Sequence, residues 1–357
     1  MKNTVFVFGA GASFGSVNPK VSFSHNDDWK PPLTNGIFGS INQKSFDTII
    51  KRFPSLGSMT TQIREYLLVE GAKADFESYI GDLINKSQTN QHYLTQVIDL
   101  RYYLRFLLKE CSDNYVTFGS NYAVLIERLQ TICVSSEVTF VTFNYDTLIE
   151  NAFVERKCID NFSEFDSYTK HIPFPLIKLH GSVNWVYKVP YQGKHFDYTG
   201  ATAISGRLYA SFNNLVETRN MDVIHWGDPC QETGYLYVPV IAVPTHGKAG
   251  FECPNEHELF LKSRLINADN IVCIGWKGSE DCFAKLCKEV RSIRDKQSIT
   301  PAQKLIIVGT NEKRALEIMA NMHNSYPLRQ GKHIGGGFTG FLNEYKADKL
   351  NELLSEY

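Results

Sequence analysis

Residues 4–8, Thr-Val-Phe-Val-Phe, are β-branched and aromatic, and they run straight into Gly9-Ala10-Gly11. Such a run reads as a buried strand delivered to a tight turn. The design recurs down the chain: Val138 to Phe143, Pro173 to Leu179, Asn270 to Gly275 and Leu305 to Gly309 read as further buried strands. The spacing predicts helices over about Tyr145 to Val154, 257–268, 280–295 and 312–323. Strands alternating with helices predict an α/β fold, a Rossmann-like parallel sheet with helices on both faces.

Residues 40–135 break that alternation. Phe76, Tyr79, Ile80, Leu83 and Ile84 follow a helical stripe behind a candidate cap at Asp75. Leu100, Leu104, Leu107 and Leu108 make a second stripe and 122–132 a third, so the segment reads as a helical insertion between two strands of the sheet. Residues 186–256 are rich in Tyr, Thr, Asn and Gly, with extended pieces such as Tyr235 to Val243, and predict a small β or irregular subdomain. The sheet-bearing core is then 1–39, 136–185 and 257–357. Within it, residues 16–36, with Pro31-Pro32, read as a long loop of the kind that often forms a functional lid. Gly335-Gly336-Gly337 precedes a final helix.

The chain has 357 residues, 43% hydrophobic and 21% charged, with a formal net charge of −1. That balance offers no electrostatic case for nucleic acid or an anionic membrane as the main partner. Basic stretches such as Lys51-Arg52 and Arg291 to Lys296 read as solvated helix faces. No apolar run is long enough to span a bilayer, and the apolar residues 4–12 are too short for a signal peptide, so a cytoplasmic location is expected. The eight cysteines (Cys111, Cys133, Cys158, Cys230, Cys253, Cys273, Cys282, Cys287) contain no C-x-x-C pair. This argues against a zinc ribbon and predicts buried free thiols and no metal.

The candidate chemistry sits where strands end. Gly9-Ala10-Gly11 allows backbone N–H groups to approach a pyrophosphate at a helix N-terminus. The dinucleotide fingerprint is partly met, because Phe14 stands where its third glycine belongs and Gly15 comes one residue later. No P-loop Lys-Ser/Thr follows, which argues against an ATPase. Ser13 reads as a phosphate ligand or a helix cap. Asn144 and Asp146 follow a buried strand, where open α/β sheets place ligands. They read either as polar groups for a ribose and a water or as an Asx turn with a cap. His180-Gly181 ends another strand and reads as a base or as a structural histidine. Trp185, Trp226 and Trp276 are aromatic candidates whose simpler role is core packing. Glu77 and Asp75 border the same region or cap a helix.

Taken in order, these elements resemble the sirtuin superfamily, specifically the sirtuin-like domains of bacterial antiphage defence systems. Gly9, Ala10, Gly11, Ala12 and Ser13 match the Gly-Ala-Gly-x-Ser segment that holds the NAD phosphates. Thr142, Asn144 and Asp146 match the Thr-x-Asn-x-Asp segment lining the nicotinamide and ribose pocket, with Phe143 between them as a further cofactor-binding residue, and His180-Gly181 match the catalytic histidine pair. Gly275, in Ile274-Gly275-Trp276-Lys277, stands where sirtuins contact the adenosine ribose, and Val308 to Asn311 stands where a strand ends near an asparagine. The two C-x-x-C pairs of classical sirtuins are missing, and Pro31-Pro32-Leu33-Thr34 replaces their Pro-Asp-Phe-Arg segment.

What the resemblance implies is NAD as substrate, without a metal, and hydrolysis to nicotinamide and ADP-ribose. Asn144 would position a water or the ribose, Asp146 would orient Asn144 or a ribose hydroxyl, and His180 would be the general base. Asn311 and Gly275 would complete the cofactor site. The implied setting is depletion of NAD in antiphage defence. Control would come from a homo-oligomer or from a separate partner of the ATPase or Argonaute type. The alternatives are a sirtuin-type deacylase or ADP-ribosyltransferase, and a module that binds NAD or ADP-ribose without turnover.

Overall fold

A computed structural model describes residues 2–16, 29–33, 36–38, 49–51, 53–69, 76–115, 119–132, 138–170, 172–190, 221–224, 235–243, 250–299, 302–326 and 328–355. Asp75, Cys133, Trp226, Cys230 and most of 16–36 and 186–256 lie outside the described residues. The described strands are Thr4–Phe8 (β1), Val138–Thr142 (β2), Leu176–Lys178 (β3), Gly181–Pro190 (β4), Met221–Val223 (β5), Tyr235–Ile241 (β6), Asn270–Ile274 (β7), Ala302–Val308 (β8) and Leu328–Ile334 (β9). The described helices are Ala10–Phe14 (α1), Pro54–Val69 (α2), Phe76–Ser87 (α3), Gln91–Asn114 (α4), Asn121–Ile132 (α5), Leu148–Glu155 (α6), Asp166–Thr169 (α7), Asn255–Ile266 (α8), Asp281–Lys296 (α9), Glu312–Ser325 (α10), Gly337–Glu344 (α11) and Ala347–Ser355 (α12).

Six strands form one sheet in the order β3-β2-β1-β7-β8-β9, parallel at every pairing. Every residue of β1, β2 and β7 is buried, as parallel strands covered on both faces require. The α/β Rossmann-like architecture read from the sequence is therefore the observed one. β1 is flanked by β2 on one side and β7 on the other, so its carboxyl end lies at the topological switch point. Phe6, Phe8 and Phe140 meet edge-on or stacked, and Phe8 continues to Tyr122 of α5 and Phe338 of α11.

The helical insertion holds α2 to α5 between the adjacent strands β1 and β2. Its expected stripes are realised: Phe76, Ile80 and Leu83 are buried on α3, and Leu100, Leu104, Leu107 and Leu108 on α4. A second, antiparallel sheet has the order β5-β4-β6. Helix α4 lies against it, with Tyr102 Oη donating to Tyr237 O (2.8 Å) and Arg105 Nε donating to Val183 O (2.9 Å).

Three expectations need correction, and one strand has no signature in the apolar pattern: β9, Leu328–Ile334, is an edge strand whose sequence, Leu-Arg-Gln-Gly-Lys-His-Ile, is largely polar. The helix expected from Tyr145 begins at Leu148, after a loop closed by Asp146 Oδ1 accepting Leu148 N–H (3.1 Å). The glycine cluster is followed by two helices, α11 and α12, rather than one. Arg294 is not part of a solvated face: it is buried, and its guanidinium donates to Ile266 O and Ala268 O. Cys111, Cys253, Cys273, Cys282 and Cys287 are buried and in no disulfide, and Cys158 is half-buried. Among the described residues, no helix is long and apolar enough to cross a membrane, and no three His, Cys, Asp or Glu form a group that could hold a metal.

Trp185 takes the packing role. Its ring meets Phe165, Tyr168 and His257, and its indole N–H donates to Tyr168 Oη (3.1 Å). Burial among these rings pushes the His257 imidazole down to about 4, against an ordinary value near 6.5. Between those two values the unfolded chain binds a proton that the folded chain does not. His257 thus contributes stability above about pH 6.5 that is lost as pH falls toward about 4, roughly 3 kcal/mol in all. Urea unfolding of wild type and His257→Gln checks this: the wild type should lose about that much more than the variant between neutral and acid pH. Identical pH dependence in the two proteins would contradict it.

Candidate functional site

Parallel hydrogen bonding does not stop where the strands stop. Phe143 N–H donates to Phe8 O (3.0 Å), Leu179 N–H to Thr142 O (3.0 Å), Gly9 N–H to Ile274 O (3.1 Å) and Gly275 N–H to Val308 O (3.2 Å). Each strand therefore hands its loop to the carboxyl edge in a set direction. These loops line a cavity of about 450 Å³. Its wall carries Gly9, Ala10, Gly11, Ser13, Phe143, Asn144, Asp146, His180 and Gly275 together. That volume falls in the range of small-molecule sites, roughly 300–1,000 Å³.

The glycine turn works differently from the expectation. Gly11 N–H donates to Gly275 O (3.0 Å) and Ala12 N–H to Gly9 O (2.9 Å), so, with Gly9, three of its donors are engaged within the protein. A Cβ on Gly275, which sits at φ +60°, would lie 2.2 Å from Ala12 N. These glycines let two loop backbones touch, and they also border the cavity. Gly15 closes the five-residue α1, its N–H bonding to Gly11 O. Ser13 is not the helix cap. Its Oγ lies 3.0 Å from Tyr122 Oη and accepts from Asn144 Nδ2 (2.9 Å).

Asn144 and Asp146 are both almost fully buried. Asn144 Nδ2 donates to Gly9 O (3.0 Å), and Asn144 N–H donates to Thr142 Oγ1 (3.0 Å). Thr142 thus acts from behind the wall. The Asx turn considered for Asp146 is present, since its carboxylate accepts Leu148 N–H. Burial raises the Asp146 pKa, while the Lys178 charge and a hydrogen bond from Ser13 oppose the rise.

His180 lies where the two sheets meet. Its carbonyl accepts Ala242 N–H (2.9 Å) from the end of β6. Its ring is edge-on to Phe143 (4.9 Å between centroids) and faces Tyr145 (6.1 Å), whose hydroxyl donates to Ala242 O (2.7 Å). Gly181 at φ +83° carries the chain from one sheet into the other, and a Cβ there would lie 1.9 Å from Val240 O. On the far wall Trp276 stacks on Phe143 (5.7 Å, 6°) and donates its indole N–H to Glu280. Glu77 borders the cavity and pairs with Lys277 (3.5 Å), and Pro31, Pro32 and Leu33 border it from the loop.

Three expected site residues do not line the cavity: Ala12, Thr142 and Asn311. Asn311 is the cap of α10, its side chain accepting Arg314 N–H (2.9 Å), while Thr310 and Arg314 do line the cavity. Gly336 and Gly337, at φ +74° and +63°, form the turn into α11 and do not line it either. Sequence reasoning missed Tyr122 and the buried pair of Lys178 with Glu150, in which Nζ and Oε1 are 2.7 Å apart. A lysine inside the apolar run Leu176 to Leu179 was the available signal for the second.

No protein-family model and no curated protein matches the chain. Among solved structures, it is similar to a Sir2 homologue in complex with NAD, at 14% identity over 99% of this chain and 90% of that one, with a TM-score of 0.38. It is similar to a variant Sir2 homologue in complex with ADP-ribose at 15% identity over 99% and 94%, with a TM-score of 0.41. A third, Sir2Tm bound to a propionylated peptide, is 15% identical over 96% and 90%, with a TM-score of 0.37.

Proposed function

We propose that the chain binds NAD in this cavity and hydrolyses its nicotinamide–ribose bond. The observation that carries the reading is the meeting of Asn144, Asp146 and His180 with the glycine turn around one ligand-sized cavity at the switch point. The nicotinamide ring of NAD is already cationic, so it leaves with the bonding electron pair as a neutral molecule and needs little acid assistance. Positive charge develops on the ribose, as in glycoside hydrolysis. A water then forms the new bond to the anomeric carbon and gives up a proton. His180 receives that proton, Asn144 holds the water or a ribose hydroxyl, and Asp146 holds the loop that carries Asn144. Phe143 and Trp276 make an apolar wall that limits bulk water. Consistent with the resemblance, the setting we propose is NAD depletion in antiphage defence, in the cytoplasm, held off by self-association or by a partner protein.

Purified protein incubated with NAD should release nicotinamide and ADP-ribose, followed by chromatography. Calorimetry with ADP-ribose tests the cavity without requiring an activated enzyme. NAD loss that appears only with an acetylated peptide would replace hydrolysis by acyl transfer. A protein that neither binds ADP-ribose nor releases nicotinamide would overturn the reading.

A further inference from the structure

The orientation of the Asn144 carboxamide decides what it can do, because its nitrogen only donates and its oxygen only accepts. Gly9 O accepts and cannot donate, so the atom 3.0 Å from it is Nδ2. The second Nδ2 hydrogen goes to Ser13 Oγ (2.9 Å), with Tyr122 Oη at 3.4 Å. Asn144 Oδ1 accepts no hydrogen bond among the described residues, and Asn144 lines the cavity. The oxygen is the atom left for a ligand. It suits an O–H donor, a water or a sugar hydroxyl.

Something must hold the amide that way round. Ser13 Oγ accepts from Asn144 Nδ2 (2.9 Å) and lies 3.0 Å from Tyr122 Oη, so the tyrosine hydroxyl holds the group that holds the amide. Burial pushes the Tyr122 pKa well above its ordinary value, so the hydroxyl keeps its proton. Its ring is wedged between Phe8 and Phe338, each at 5.4 Å and 72°. The residue before it grips the same neighbourhood: Asn121 Nδ2 donates to Gly15 O (2.6 Å) and to Thr339 Oγ1 (2.8 Å).

We propose that Tyr122 is a positioning residue. Through Ser13 it fixes the Asn144 carboxamide with Oδ1 toward the cavity, ready to accept from the attacking water or a ribose hydroxyl. This makes the start of α5, and with it the helical segment between β1 and β2, part of the site. The catalytic half of the proposal rests on the NAD reading above; the orientation half does not.

Tyr122→Phe keeps the wedged ring and removes the hydroxyl. The expected result is a kcat for nicotinamide release lowered about tenfold, as loss of one orienting hydrogen bond implies. KM, ADP-ribose affinity and the thermal midpoint should stay close to wild type. In the nitrogen–proton spectrum of the ligand-free protein, the Asn144 side-chain NH₂ pair, assigned by its disappearance in Asn144→Asp, should move in Tyr122→Phe. An unmoved NH₂ pair together with an unchanged kcat would overturn the proposal while leaving the NAD reading intact. A pair that moves, in a protein that neither binds ADP-ribose nor releases nicotinamide, would sink the NAD reading and the catalytic half while upholding the orientation. A moved pair with unchanged kcat would likewise overturn the catalytic half.

Discussion

His180→Ala is expected to lower the rate of nicotinamide release by roughly 10²–10⁴-fold, the worth of a placed general base. The loss should fall on kcat. Removing the imidazole leaves the main chain of residue 180 where it is, because its carbonyl accepts Ala242 N–H, and its neighbour Leu179 donates to Thr142 O and accepts Glu252 N–H. The cavity keeps its glycine turn, Asn144 and the Trp276 wall, so ADP-ribose affinity should change little. Asn144→Ala should also abolish NAD loss by a different route, since it removes the acceptor facing the cavity and leaves Gly9 O without its amide partner. Measured side by side with thermal midpoints, the two variants separate chemistry from folding. Full activity in both, with NAD still consumed, would show that the bond is cut elsewhere in the molecule.

The legible parts of this molecule are those governed by local pattern. β1, β2 and β7 are apolar on both faces, so their period and their turn residues announce them. Asn144, Asp146 and His180 each follow such a strand, and a parallel sheet sends every strand end to one edge, so that all three border one cavity was legible. β9 escaped because an edge strand needs no apolar face, and polar residues alternating around Gly331 resemble a loop. Tyr122 escaped for the opposite reason. It sits in the buried stripe of α5, where an aromatic ring is fully explained by packing, and its hydroxyl matters only because Ser13 and Asn144 arrive from distant parts of the chain. Asn311 shows the reverse error. A strand-end asparagine looked like a ligand group, and a helix cap accounts for it. The glycine turn also has a packing task that its sequence does not announce. Nothing local says that Gly275 will lie against Gly11, and that contact engages the N–H group expected to face phosphate.

Lys178→Met is expected to cost about 3–5 kcal/mol at neutral pH, the usual penalty for stranding one member of a buried ion pair. Lys178 has no exposed surface, and its Nζ donates to Glu150 Oε1 and to the main-chain oxygen of Asp146. Without the ammonium, the Glu150 carboxylate stays buried beside Tyr168 Oη, with its second oxygen unpartnered among the described residues. Burial already raises the Glu150 pKa, and the Lys178 charge is what opposes that rise. In the variant the folded state should therefore take up a proton at Glu150 more readily than the unfolded state does. Its deficit should shrink as pH falls and grow as pH rises. Lys178→Met combined with Glu150→Leu removes the stranded charge and should recover most of the lost stability, as matched apolar replacements of buried pairs do. Urea unfolding of the wild type, both single variants and the double variant measures the coupling; a double variant no more stable than Lys178→Met alone would refute the pairing argument. The double variant also isolates the other bond. It folds without the hydrogen bond that Lys178 makes to Asp146 O, so a slower nicotinamide release in it would trace to the looser loop that carries Asn144, and an unchanged rate would show that the loop holds its shape without Lys178.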